Sequence, residues 1–164
     1  IIMLVAFKYS SRWNHQKQLQ QEQYRRKLDA LEEIQSYISI FKIVFKQNQE
    51  IYKGIFDNSH IEKAMKGEKL ELPVLPDKPP PPSSKMTLFA REMQFGQIPF
   101  EKLRKQGELA KSYLEALINQ DAKEMEKFRA DIYQLDGEIV EILQKLEQRV
   151  EQEYNRQQSK SKDF

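Results

Sequence analysis

The chain has 164 residues, of which 39% are apolar and 32% charged, and its net charge is +2 at pH 7. Scarce glycine and abundant Lys, Glu, Gln, Leu and Ile favour helices and argue against an all-β sandwich. The absence of cysteine excludes disulfides, thiolate catalysis, iron–sulfur clusters and cysteine-ligated zinc. The overall charge requires neither a nucleic acid nor a membrane as partner.

The first seven residues are all apolar, and Lys8, Tyr9, Arg12 and Trp13 follow closely. Cations mixed with interfacial aromatic residues are typical of the point where a transmembrane helix leaves the bilayer. Seven residues are too few to span a bilayer, which needs about 20. We therefore expect residues 1–10 to be the end of a truncated transmembrane or apolar anchor segment, with those four side chains near the membrane. A processed signal remnant and a short apolar strand are the alternatives.

The charges after this segment predict its orientation. Residues 8–27 contain six cations and one anion. Cations near a membrane exit favour the side that is not translocated. The sequence thus predicts a single-pass, membrane-attached protein whose bulk lies on the cytoplasmic or matrix side. A periplasmic domain behind a bacterial signal anchor is the alternative.

Residues 11–67 predict one long helix and one short helix. Between residues 11 and 56 there is no proline and the only glycine is Gly54. A seven-residue apolar repeat runs through this stretch: Tyr24, Leu31, Ile38, Phe45 and Tyr52. This repeat is typical of a coiled-coil-like helix, about 70 Å long at this length. The glutamine-rich part before Tyr24 is expected to project as a solvated stalk, and a short helix should follow to Met65, stopped by Gly67.

The middle of the long helix carries the first candidate interface. Around Tyr37–Phe45 the apolar stripe widens to most of the helix surface. A helix that is apolar on most sides is buried by more than one neighbour. We expect Tyr37, Phe41, Val44 and Phe45 to be buried anchors shared between the core and a partner interface.

Residues 68–85 form a proline-rich linker. Pro79, Pro80, Pro81 and Pro82 are consecutive, which excludes both a helix and a sheet ladder and favours an extended polyproline II segment. This segment is predicted to be a spacer that carries the chain back along the long helix. Alternatively, the four prolines are a docking strip for an aromatic groove on a partner.

Residues 86–154 predict a short helix followed by an antiparallel helical hairpin. Gly96 should stop the short helix, Pro99 opens the next one, and Asp121 is a good N-cap for the last. The last helix has apolar residues alternately three and four apart up to Val150. Residues 155–164 are expected to be a frayed polar tail. The predicted fold is therefore an all-α, elongated helical bundle.

The residues that could carry chemistry form no site in the sequence. Neither His15 nor His60 completes a Glu-x-x-His motif, and nucleophile elbows and glycine-rich phosphate loops are missing. The basic residues near Tyr24–Lys27 are too few to indicate nucleic-acid binding. We expect no catalytic residue, cofactor, metal, small-molecule substrate or nucleic acid.

These observations predict a non-enzymatic, membrane-anchored helical scaffold or accessory subunit of a larger membrane-associated assembly. It would act through helix-face contacts with other protein subunits or with copies of itself, and reach the membrane through its N-terminal segment. The alternative is a ligand-sensing helical-bundle domain of a membrane-tethered protein. A sensor should enclose a pocket lined by convergent polar groups, whereas a scaffold should show a filled core and exposed apolar surface.

Overall fold

The fold consists of helices throughout the described part of the chain, which comprises residues 2–69, 71, 81–92, 95 and 99–162 of a computed structural model. The helices are α1 (Ile2–Ile55), α2 (Asn58–Met65), α3 (Ser84–Glu92), α4 (Phe100–Ile118) and α5 (Ala122–Ser161). The predicted all-helical bundle with a long first helix is confirmed.

The heptad repeat of α1 becomes its buried stripe. Leu31, Ile38, Phe45 and Tyr52 are all buried. Residues 3–23 are all exposed, because no other described helix covers them. We call residues 3–23 the arm; at the rise of an α-helix it is about 30 Å long.

Helices α1 and α5 pack side by side and run in opposite directions. The Lys42 ammonium lies 2.5 Å from the Glu147 carboxylate, and Ile38 lines a shallow groove together with Val150. Because the helices are antiparallel, the number of an α1 residue and the number of the α5 residue beside it have nearly the same sum all along the contact. By this register the end of α5 reaches the level of residue 28 of α1, about one turn below the arm.

Helices α4 and α5 are joined by a turn of three residues. Gln120 has a φ of 57°, and Asp121 caps α5 by accepting a hydrogen bond from the Glu124 amide at 3.1 Å. The Lys102 ammonium lies 2.5 Å from the Glu138 carboxylate, which fixes the register of the two helices.

The short helices lie at opposite ends of the bundle. The Gln120 side chain donates a hydrogen bond to the Ala64 carbonyl at 2.8 Å, which holds α2 beside the α4–α5 turn. Ser83 accepts a hydrogen bond from the Met86 amide and donates one to Glu33, which places the start of α3 beside the middle of α1. The end of α2 and the start of α3 therefore lie far apart along the bundle.

The core consists of two apolar clusters stacked along the bundle. One joins α1, α3 and the second half of α5 around Phe41 and Leu146. The other joins the end of α1 to α2, α4 and the start of α5 around Phe56 and Tyr113, whose ring centroids are 4.8 Å apart. The core is divided into two clusters because the bundle is elongated, so that no single set of packed side chains spans its whole length.

The prediction of membrane attachment is wrong. None of the described helices contains an apolar stretch long enough to cross a bilayer. The apolar run at the start of α1 gives way at Lys8 to a polar, charged helix, so the apolar character lasts only two turns.

One helix boundary also differs from the sequence prediction. Helix α5 continues to Ser161 instead of ending at Tyr154, because Gln157 is buried and donates a hydrogen bond to Glu153 one turn earlier. The N-cap of α2 is Asp57, which accepts a hydrogen bond from the Ser59 amide at 2.9 Å.

Candidate functional site

The four residues proposed as interface anchors on α1 lie in the core of this chain. Tyr37, Phe41 and Phe45 are buried, and Val44 is half-buried against the same cluster. The ring centroids of Tyr37 and Phe41 are 6.1 Å apart. These side chains are thus occupied by intramolecular packing, and their role in a partner interface stays a prediction.

The exposed apolar side chains of this part of α1 are Ile40 and Ile43, which are 48% and 59% exposed. They belong to the widened apolar stripe that the sequence predicted to be buried by more than one neighbour. They lie instead on the side of α1 away from α5, because α1 has too few described neighbours to cover its whole circumference.

The proline strip lies only partly within the described residues. Pro79 and Pro80 fall outside them, whereas Pro81 is exposed and Pro82 half-buried. The strip leads directly into Ser83, which is hydrogen-bonded to α1. Its role as a docking strip stays a prediction.

Lys8, Tyr9, Arg12 and Trp13, which were assigned to the membrane exit, are exposed side chains of the arm. Tyr9 is 72% exposed and Trp13 is 68% exposed. Met3, Leu4 and Phe7 add further exposed apolar surface. The structure thus places large apolar side chains and cations on the arm, the part of α1 that packs against no other described helix.

A groove between α1 and α3, which we call the α1–α3 groove, was not foreseen from the sequence. Its volume is about 320 Å³, and its floor and rim are formed by Gln23, Arg26, Lys27, Ala30, Lys85, Leu88, Phe89 and Glu92. Leu88 is 57% exposed although it stands beside buried Met86 and Ala90. Leu88 and Phe89 are adjacent apolar residues in the sequence, and their positions alone do not indicate a groove.

A polar group of side chains crosses the core where α1, α4 and α5 meet. Gln106 of α4 is fully buried, and its amide nitrogen donates to the Ile132 carbonyl at 3.0 Å and to the Asp136 carboxylate at 2.6 Å. Gln49 of α1 hydrogen-bonds the same carboxylate. Burial raises the pKa of Asp136, and the two hydrogen bonds offset part of this rise.

This polar group perturbs a neighbouring tyrosine. Burial raises the pKa of Tyr52 far above its usual value, and the negative charge of Asp136 adds to the rise. Burial alone raises the pKa of Tyr37 to about 12. Both phenols therefore stay neutral at physiological pH and act as packing groups.

The described residues hold no group of three or more His, Asp or Glu side chains arranged to bind a metal ion. Another groove, of about 680 Å³, lies along α4 and α5 and is lined mainly by charged side chains, among them exposed Arg104 and Glu108. These two side chains pair with each other at 2.7 Å.

Comparison with known proteins adds no functional assignment. No protein family, curated protein or solved structure matches the chain. The functional argument therefore depends on the surface of the molecule.

Proposed function

We propose that the protein is a non-enzymatic helical scaffold or accessory subunit that binds other protein chains, or copies of itself, through helix faces. The observation that carries this proposal is the arm. Its residues 3–23 are exposed, and Phe7, Tyr9 and Trp13 each leave more than two thirds of their surface uncovered.

An unpacked helix of this kind needs a partner for energetic reasons. An isolated helix gains little beyond marginal stability from its own hydrogen bonds, because most helical stability in proteins comes from packing. Large exposed apolar side chains close together mark interaction surfaces in soluble proteins. A partner that covers the arm would supply both the packing and the burial.

The rest of the bundle would hold the arm at a fixed place. We propose that α4 and α5 form a helical hairpin that stiffens the second half of α1. We also propose that the proline-rich residues 68–85 act as an extended spacer. By the register of α1 and α5, Ala64 and Ser83 lie about 50 Å apart along the bundle, a distance that residues 68–83 would cover at about 3.1 Å each in a polyproline II segment.

The ligand-sensing alternative has less support. A sensor needs a pocket that encloses its ligand. The groove on α4 and α5 is lined mainly by charged side chains, among them exposed Arg104 and Glu108. The arm gives the scaffold a binding surface that a sensor does not require.

The test is the mass of the native complex. The full chain, tagged at its C-terminus, is purified under native conditions and weighed by native mass spectrometry. A stoichiometric partner or a multiple of 19.6 kDa supports the proposal, and a lone 19.6 kDa monomer contradicts it.

A pair of variants locates the binding surface. Phe7→Ser combined with Trp13→Ser should abolish the association, because it removes two large apolar side chains of the arm. The matched control is Met65→Ser combined with Ile118→Ser, which removes side chains that are 56% and 58% exposed far from the arm. Equal loss in both double variants would contradict a specific role for the arm.

A further inference from the structure

We propose that the α1–α3 groove binds an acidic amphipathic helix of a partner protein. This inference rests on the proposed function and specifies the chemistry of the partner. It is carried by the apolar floor of the groove, its continuity with the arm and its excess of positive charge.

The floor of the groove is apolar and held in place by the core. Ala30 is only 4% exposed, and the Phe89 ring is half-buried with its centroid 6.0 Å from that of Phe95. Leu88 stands above this floor and is 57% exposed. A preformed apolar surface with one protruding leucine favours apolar side chains from a partner, since contact would remove both surfaces from water.

The shape of the surface favours a helix as the occupant. Leu19, Gln23, Arg26 and Ala30 follow one another at spacings of four, three and four residues, so they share one face of α1. This face therefore runs from the groove onto the end of the arm and is about three helical turns long in all. A straight surface of this length, formed by helix side chains, matches the ridges of another helix.

The charge of this surface favours an acidic occupant. Residues 8–27 contain six cations, and their single anion, Glu22, is paired with Arg26. Lys27, which is one of these six cations, lies at the rim together with Lys85, which is only loosely paired with Glu33 at 3.9 Å. Glu92 is the one acidic side chain that lines the groove. Carboxylates on a partner would complement this excess and speed its association.

The experiment uses a fluorescein-labelled amphipathic peptide long enough for about three helical turns. Leucines occupy one face and glutamates flank it, and a control peptide has lysine in place of every glutamate. Fluorescence anisotropy with the full chain should show saturable binding of the acidic peptide that weakens as salt is added. Hydrogen exchange should show protection confined to residues 19–30 and α3.

Variants of the groove should weaken binding selectively. Leu88→Asp and the double variant Lys27→Glu with Lys85→Glu are each expected to reduce the affinity about tenfold. The matched control for the first is Ile118→Asp, since Ile118 is 58% exposed and Leu88 57%. The control for the second is Lys111→Glu, an exposed lysine on α4. Each control should change the affinity less than about twofold.

Several results would overturn the proposal. These are equal binding of the lysine peptide, unchanged binding by Leu88→Asp, and protection elsewhere in the chain. Binding of phosphatidylserine vesicles or single-stranded DNA in preference to the acidic peptide would also overturn it. A native complex that survives Leu88→Asp would refute the groove assignment and leave the proposed function intact. A lone monomer in the native purification would refute both.

Discussion

Replacement of Gln106 by glutamate tests the polar group that joins the three long helices. The variant Gln106→Glu keeps the shape of the side chain but removes the amide nitrogen that donates to Ile132 and Asp136. At pH 7 it also places a second carboxylate next to that of Asp136, at a position that is fully buried in the parent. We expect a large loss of stability without a change in fold.

The size of the loss follows from the contacts. A hydrogen bond to a neutral carbonyl contributes about 1 kcal/mol, and one to a charged group about 2 kcal/mol. Like charges buried together add to the cost. The free energy of unfolding should therefore fall by about 4 kcal/mol at pH 7, a large part of the 5–15 kcal/mol that is ordinary for a domain.

The assay is urea unfolding followed by circular dichroism at pH 7 and in mildly acidic buffer. With an m-value of about 2 kcal/mol/M, the midpoint of Gln106→Glu should lie about 2 M below that of the parent at pH 7. In the folded variant, burial and mutual repulsion should raise the pKa values of the Asp136 carboxyl and of the new carboxyl at position 106. The folded variant should therefore bind more protons than its unfolded chain. Its stability should therefore fall as pH rises from the ordinary carboxyl pKa towards neutrality. The slope should be less negative in the parent than in the variant, because in the parent's polar group burial raises the pKa of only one carboxyl, that of Asp136.

Two further variants make the result decisive. Adding Asp136→Asn to Gln106→Glu restores one donor and one carboxylate with their positions exchanged, so most of the stability should return. Gln144→Glu on the exposed side of α5 should change stability by less than about 0.5 kcal/mol. An unchanged midpoint in Gln106→Glu, or no rescue by Asp136→Asn, would refute the hydrogen-bonded arrangement.

Three other predictions can be checked by the same urea unfolding. Gly107→Ala and Gly137→Ala should each stabilise the protein by about 0.5–1 kcal/mol, because an added Cβ meets nothing within 4 Å and alanine favours helix; destabilisation would show that the helices approach closely there. Val44→Asp should cost about 2 kcal/mol, whereas Ile43→Asp next to it should cost less than about 0.5 kcal/mol; equal costs would contradict the burial of Val44 against the core. Asp121→Ala should cost about 1 kcal/mol through loss of the N-cap of α5, and an unchanged midpoint would contradict that cap.

Much of the fold could be predicted from the sequence because it depends on local chemistry. The heptad stripe that includes Leu31 and Phe45 predicts a long helix with one buried side, and that side is buried. Gly67 follows the end of α2 with a φ of 70°, which glycine adopts without strain and which ends the helix. Asp121 caps α5, as its side chain and position predict.

The surfaces could not be predicted because they depend on which helices meet. The sequence shows that Ile40 and Ile43 extend the apolar surface of α1. Whether they are buried depends on how many neighbours surround α1, and both are exposed. The same holds for Leu88, whose exposure results from the way α3 packs on α1. The sequence also does not show whether Gly107 and Gly137 mark a close approach of α4 and α5, whereas in the structure an added Cβ would meet nothing within 4 Å at either position.

The sequence by itself determined the helices and most of their ends, because spacing and caps act over a few residues. Only the tertiary structure decided that Gln106, Asp136 and Gln49 form one polar group, since these residues come from three helices. It likewise decided that residues 3–23, the arm, are covered by no other described helix. Burial depends on neighbours that lie far away in the sequence, and no local pattern specifies them.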